Sequence, residues 1–234
     1  MNYDSRILER LFLVGRTYWV IGSSPVRRGT SWGYLVCRTC RWDIEPEEVH
    51  LRKVVAAEFV SLDGVMESPD KWHFPYFNEE MGQAVGEGFA AADAMLMGRV
   101  NYEEWAAYWP GQDPEENPMA AQMNSMQKYV VSTTLEEPLG WQNSTLINEN
   151  VAEEIARLKQ GEGGDIVVSG SGALVRSLLQ YGLLDELKLM IHPVVVGGGK
   201  RLFEEGGEHK ELELVDSKTF ATGVVYLTYR PAHG

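Results

Sequence analysis

The chain has 234 residues, with 21 Lys+Arg against 34 Asp+Glu and a formal charge of −13; that length suits one full domain with an appendage. A surface of that sign repels phosphate backbones and anionic lipid, which argues against nucleic acid and membranes as partners. Two cysteines make no disulfide framework, and no apolar run reaches the roughly 18–20 residues of a membrane helix, so the expectation is a cytoplasmic protein.

Residues 1–50 are a different kind of sequence. They carry seven arginines and no lysine against six acids, both cysteines, and Trp19, Trp32 and Trp42, with no sustained helical or alternating period. Cys37 and Cys40 would need two more ligands to complete a tetrahedral zinc site, and only His50 is near, so no metal is expected. This segment reads as a poorly ordered N-terminal extension ahead of a domain over residues 51–234.

From Lys53 onward, extended apolar runs alternate with helical segments, the pattern of an α/β domain. Lys53–Val60 reads as a buried strand ended by the turn signal Ser61-Leu62-Asp63-Gly64. Phe77–Ala92 is helical in pattern, Ala94–Met97 is a short strand, and Tyr102–Tyr108 is a helix with Asn101 as candidate N-cap. Pro110–Pro118 reads as an acidic loop. Strands follow at Lys128–Ser132 and Thr145–Ile147, then an amphipathic helix at Val151–Lys159. Asp165–Ser169 is a strand that runs through Gly170-Ser171-Gly172 into a helix over Ala173–Tyr181. A long strand, Asp185–Val196, is broken at Pro193 and followed by Gly197–Lys200, and Glu211–Val215 with Val224–Tyr229 form a terminal antiparallel pair. About eight strands and four helices fit three layers around a central mixed sheet.

Three junctions carry chemistry. Ser169 to Leu174 is a strand–glycine–helix turn, where first-turn amides and the helix dipole favour an anion and glycine lets a ligand approach the backbone. A capped tight turn is the alternative reading. The third glycine of the dinucleotide fingerprint is missing, which disfavours a standard Rossmann site. Gly98-Arg99 adds a guanidinium fork at a second junction, and Ser132-Thr133 adds hydroxyls at a third. Converging on the carboxyl edge of an open sheet, these suggest a phosphate-bearing cofactor.

MGRVNYE, KYVVST, VVSGSGALVRSLLQYGLLDELKL, IHPVVVGGGKRLF and the opening strand with SLDG resemble, in order and spacing, the dihydrofolate-reductase-like superfamily. Within it they are most similar to the C-terminal reductase domain of the bifunctional riboflavin-biosynthesis deaminase/reductase, in its stand-alone bacterial form. The resemblance spans roughly residues 52–230 and implies a three-layer fold with a mostly parallel mixed sheet. It also implies NADPH-dependent reduction, with 5-amino-6-(5-phosphoribosylamino)uracil as the type substrate, and a homodimer, which is expected as well from the apolar strand Leu187–Val196 near the end of the sheet, since it would otherwise leave a long open edge. Carried onto this chain, the adenosine and 2′-phosphate end lies near Gly98, Arg99, Ser132 and Thr133, and the pyrophosphate near Gly170, Ser171, Gly172, Ala173 and Leu174. The loop after Asp63-Gly64 corresponds to a mobile loop over nicotinamide and substrate. Asp63 and Glu67 are the candidate acids beside it, Asp63 also suiting an ordinary Asp-Gly turn. Lys71, His73, Lys200 and Arg201 are candidate cations for a phosphoribosyl substrate. The first-helix stretch Asn78-Glu79-Glu80-Met81 offers no clear carboxylate for a pterin, which argues against folate as substrate. A catalytically silent nucleotide-binding module of the same fold is the second reading.

Overall fold

The computed structural model describes residues 13–14, 17–18 and 52–232. The chain divides between Val49 and His50. In the first unit the described residues are two short strands, β1 (Leu13–Val14) and β2 (Thr17–Tyr18), paired antiparallel. The expectations for the cysteines and for an unstructured extension lie outside the described residues.

The second unit is built on one eight-stranded sheet. Its strands are β3 (Val54–Ser61), β4 (Ala92–Gly98), β5 (Gln127–Val131), β6 (Ser144–Ile147), β7 (Asp165–Val168), β8 (Glu186–His192), β9 (Leu212–Thr219) and β10 (Val225–Pro231). They lie in the order β6-β5-β4-β7-β3-β8-β10-β9. From β6 to β8 every pairing is parallel, and β10 and β9 add an antiparallel ribbon. The helices are α1 (Glu79–Ala90), α2 (Arg99–Tyr108), α3 (Pro118–Ser125), α4 (Val151–Lys159) and α5 (Gly172–Gln180).

Strand alternation sorts the core into two faces. On β4, Ala94 and Leu96 pack with Ile155 of α4 and Val175 and Leu178 of α5. The intervening Met95 and Met97 pack with Phe89 of α1, Tyr102 of α2 and Met123 of α3. Helices therefore cover both faces, and the three-layer α/β expectation holds. Because the central strands are buried on both faces, they read as near-continuous apolar runs.

Three expectations change. The segment from Pro118 forms helix α3, with its proline in the first turn, where a missing N–H costs nothing. Helix α2 starts at Arg99, directly off β4 with Gly98 as its N-cap residue, so Asn101 lies inside the helix and its side chain is free for another use. Strand β8 is interior, paired with β3 and β10. The free edges are β6 and β9, so the expected long open edge at Leu187–Val196 is absent.

Candidate active site

Parallel pairing from β6 to β8 puts the carboxyl ends of β3, β4, β5, β7 and β8 on one edge of the sheet. The turn after Ser61, the Gly98-Arg99 junction, Ser132-Thr133, the Ser169–Leu174 turn and the segment after His192 therefore share that edge. This is where ligands bind in open α/β sheets.

The β7–α5 turn is held from three sides. Gly170 adopts φ +74°, and a Cβ there would meet Asn101 Oδ1 at 2.6 Å, so only glycine fits. Asn101 uses its side-chain amide to donate to the carbonyl of Ser169 at 2.8 Å, tying α2 to the turn. The amide of Gly98 donates to the Ser171 hydroxyl at 3.0 Å. Ser171 thus bridges two strand ends and makes no side-chain cap on α5, which leaves the first-turn amides of Gly172, Ala173 and Leu174 without that partner. The Leu174 side chain enters the core, so only its backbone faces the turn.

Beneath the turn lies Glu58, 3% exposed on β3. Its Oε2 accepts from the Gly170 amide at 2.8 Å, and the Ser171 amide also faces the carboxyl. Burial pushes its pKa up to about 8, against the opposing pull of those two amides. Glu58 is not among the residues that the sequence singles out, because it lies in mid-strand. Its charge inside the apolar run Val54–Val60 was the available signal.

The loop after β3 is fastened to the glycine-rich segment after β8. Val65 bridges Arg201 antiparallel, the Met66 amide donates to Lys200 O at 2.9 Å, and the Leu202 amide donates to Gly64 O at 3.1 Å. Asp63 anchors the same flap. Its carboxylate accepts from the Ser61 hydroxyl at 2.7 Å and from the amides of Val196 and Gly197 at 3.0 and 2.9 Å. Those bonds, the Ser61 hydroxyl first, lower its pKa to about 2. Asp63 is therefore ionised at neutral pH and has no proton to donate; it holds a turn. Glu67 accepts from the Lys200 amide at 3.2 Å, with Lys200 Nζ 3.7 Å from its carboxylate. Asp63, Glu67, Lys200 and Arg201 are brought together on this flap.

Lys71 and His73 part company. Lys71 is exposed at the end of a 3-10 turn, Pro69–Lys71. His73 is buried, stacked on Phe59 with ring centroids 4.8 Å apart, and 6.0 Å from His192. Burial and then the neighbouring His192 lower its pKa, so at neutral pH it is an uncharged packing group and offers no cation to a phosphate. His192, fully buried, is edge-on to Phe59, Trp72 and Tyr76. Phe59, Trp72 and Tyr76 thus wall the two histidines in a cluster beside the flap.

At the far junction Ser132 is buried, and its hydroxyl accepts from the amides of Thr134 and Leu135, both at 3.1 Å. It caps its own turn, and Thr133 is the exposed hydroxyl. Arg99 is exposed on α2 and paired with Glu103 at 2.8 Å.

Residues 52–226 match the family described as the RibD C-terminal domain. The chain belongs to that family. Uncharacterized protein YyaP of Bacillus subtilis (strain 168) is 33% identical over 181 residues, covering 76% of this chain and 94% of that protein. The crystal structure of a putative riboflavin biosynthesis protein from Shewanella sp. PV-4 superposes with TM-score 0.61 at 21% identity, over 77% of this chain and 99% of that one. Dihydrofolate reductase from Enterococcus faecalis, solved with NADP(H), gives TM-score 0.54 at 13% identity, over 77% of this chain and 97% of the enzyme. The RibD C-terminal domain of this chain has a dihydrofolate-reductase-like fold.

Proposed function

We propose that the chain is an NADPH-dependent reductase of a phosphoribosylamino-pyrimidine or a related small heterocycle, resembling 5-amino-6-(5-phosphoribosylamino)uracil reductase of riboflavin biosynthesis. The observation that carries this reading is the first turn of α5. Its amides lie at the carboxyl edge without a Ser171 cap, beside a glycine that brings the backbone within reach of a ligand. A dinucleotide fits these residues. Gly172, Ala173 and Leu174 would hold the pyrophosphate through backbone amides, and Arg99 and Thr133 would hold the 2′-phosphate, Arg99 by exchanging Glu103 for a bidentate phosphate contact. The Enterococcus enzyme, which shares the fold, was solved with NADP(H), and this supports a nicotinamide cofactor.

When bound, the cofactor supplies the hydride. The chain's own work is to position and to exclude water. The flap of residues 61–67, pinned along Lys200–Leu202, would cover the reacting groups. Lys200 and Arg201, both exposed on the flap's partner segment, supply positive charge for an anionic substrate. Glu67 is the exposed acid there.

The commitment of Asp63 to two backbone amides favours the second reading, a nucleotide-binding module without turnover. One experiment on the full chain separates the two. Thermal melting with NADPH and NADH in parallel should rise selectively with NADPH, by an amount corresponding to roughly 2.7 kcal/mol at 100 times Kd. Substrate-dependent loss of NADPH absorbance on adding phosphoribosylamino-uracils then marks a reductase. A melting shift without turnover leaves the binding module, and no shift with either nucleotide overturns both. We also propose that the protein is a homodimer, joined through edge strand β9, where Leu214 and Val215 are exposed. Light scattering showing only a 26.3 kDa species would refute this.

A further inference from the structure

The other acids of the flap have evident partners: Asp63 holds the turn and Glu67 holds Lys200. Glu58 is different. Its Oε2 is bound to the Gly170 amide, but its Oε1 is buried with no hydrogen-bond partner. Among the described residues no cation is placed to balance it. Strand β8 sets Leu189 opposite it, while Lys188 and His192 of that strand oppose Ala57 and Ser61, which point to the other face of the sheet. Helix α2 contributes Asn101, whose amide is spent on Ser169, and the flap contributes Met66 against Gly172. On α5, Arg176 is bound to the carbonyl of Leu202 and paired with Glu204. A carboxyl so placed is a built-in occupant of the same amide turn that an external anion would use.

We propose that Glu58 is a proton-linked positioning residue of the phosphate site: its neutral carboxyl holds the Gly170–Ser171 turn, and an anionic ligand at the first turn of α5 binds with proton uptake by Glu58. This rests on the cofactor reading given above. Two negative charges sharing one turn in a desolvated setting repel, so the ligand favours the protonated carboxyl. By linkage, ionising Glu58 weakens the ligand, and binding the ligand strengthens the hold on the proton. With its ionisation raised to about pH 8 by burial, Glu58 would express this coupling in the mildly alkaline range. The ligand class is a pyrophosphate-bearing nucleotide, recognised by amides and discriminated by pH.

The test is calorimetric titration of the full-length protein with NADPH at pH 7, 8 and 9, each in two buffers of different ionisation enthalpy. The wild type is compared with Glu58→Gln, which keeps the shape and removes the ionisation. Working above about pH 7 avoids the ligand's own 2′-phosphate, whose second ionisation falls near 6. In the wild type, uptake should rise toward about one proton per site by pH 9, and the affinity should fall toward about tenfold per pH unit. Glu58→Gln should bind with neither dependence. Equal uptake in both proteins overturns the assignment to Glu58. Absence of uptake in the wild type overturns the coupling, and this reading stands even where the variant fails to fold. No binding by the wild type at any pH overturns the cofactor reading and the proposal with it.

Discussion

The sulfur of Met66 lies against Gly172, so close that a Cβ on that glycine would meet it at 2.5 Å. Met66 thereby covers the first turn of α5, the place assigned to the pyrophosphate. A side chain of that kind is flexible and can swing aside, so the proposed cofactor would reach the turn without breaking the backbone ladder of the flap. Met66→Ala should tighten NADPH binding by removing the competitor for the turn, while costing about 1 kcal/mol of stability from lost packing on a half-buried site. Fluorescence titration with NADPH beside thermal melting measures both; weaker binding in the variant would make Met66 part of the cofactor's own contact surface.

Asp63 gives a prediction about pH. Its pKa is lowered to about 2, first by the Ser61 hydroxyl and then by the amides of Val196 and Gly197. A carboxyl depressed in the folded state contributes stability that is present above its unfolded pKa and lost as pH falls through the folded value, here between 3.8 and about 2. Across pH 5–9 the group is ionised throughout. Asp63→Asn should therefore lower the melting temperature by the same amount at pH 5 and pH 9, and the wild-type pH profile of turnover should carry no step from this residue. A pH-dependent difference between wild type and variant in that range would return Asp63 to the candidate acids.

These two residues show what a sequence does and does not disclose. The order of strands and helices was readable from apolar runs and glycine breaks, because the central strands are buried on both faces and the turns need particular residues. Helix α3 was hidden by its own start: Pro118 looks like loop, and the short stretch Met119–Ser125 lacks a strong apolar stripe, although Ala120 and Met123 are fully buried. Gly170 is legible as a turn residue since its backbone, at φ +74°, demands glycine. Which amides face an internal carboxyl is not, because Glu58 and Gly170 are 112 positions apart and meet only once β3 and β7 pair. For the same reason, His73 reads as a loop cation until β8 brings His192 beside it.

Arg99 tests cofactor choice separately from stability. Its guanidinium and its partner Glu103 are both close to half exposed, and an exposed i,i+4 pair contributes about 0.3–0.5 kcal/mol. Arg99→Ala should leave the melting temperature of the free protein nearly unchanged. Its effect should fall on the 2′-phosphate, reducing the NADPH shift to the size of the NADH shift. Parallel melting curves with the two nucleotides measure this, and a preserved NADPH preference in the variant would move the 2′-phosphate away from the β4–α2 junction.

The buried histidine pair predicts acid sensitivity. Burial lowers the pKa of both His73 and His192, with His192 also opposing a charge on His73. Above their unfolded value of about 6.5, both are neutral in either state and exert no pH effect. As pH falls below that value, the unfolded chain takes up protons that the folded cluster refuses. Stability should then drop by up to about 1.4 kcal/mol per pH unit for each histidine, until the folded groups themselves protonate. His73→Phe keeps an aromatic ring on Phe59 and removes one titration. Denaturant unfolding between pH 7 and pH 5 should therefore show a shallower decline in His73→Phe than in the wild type, the two curves converging above pH 7 apart from a constant offset. Parallel curves through the whole range would mean that His73 takes its proton in the folded state, and that the strap of residues 69–77 opens to let it.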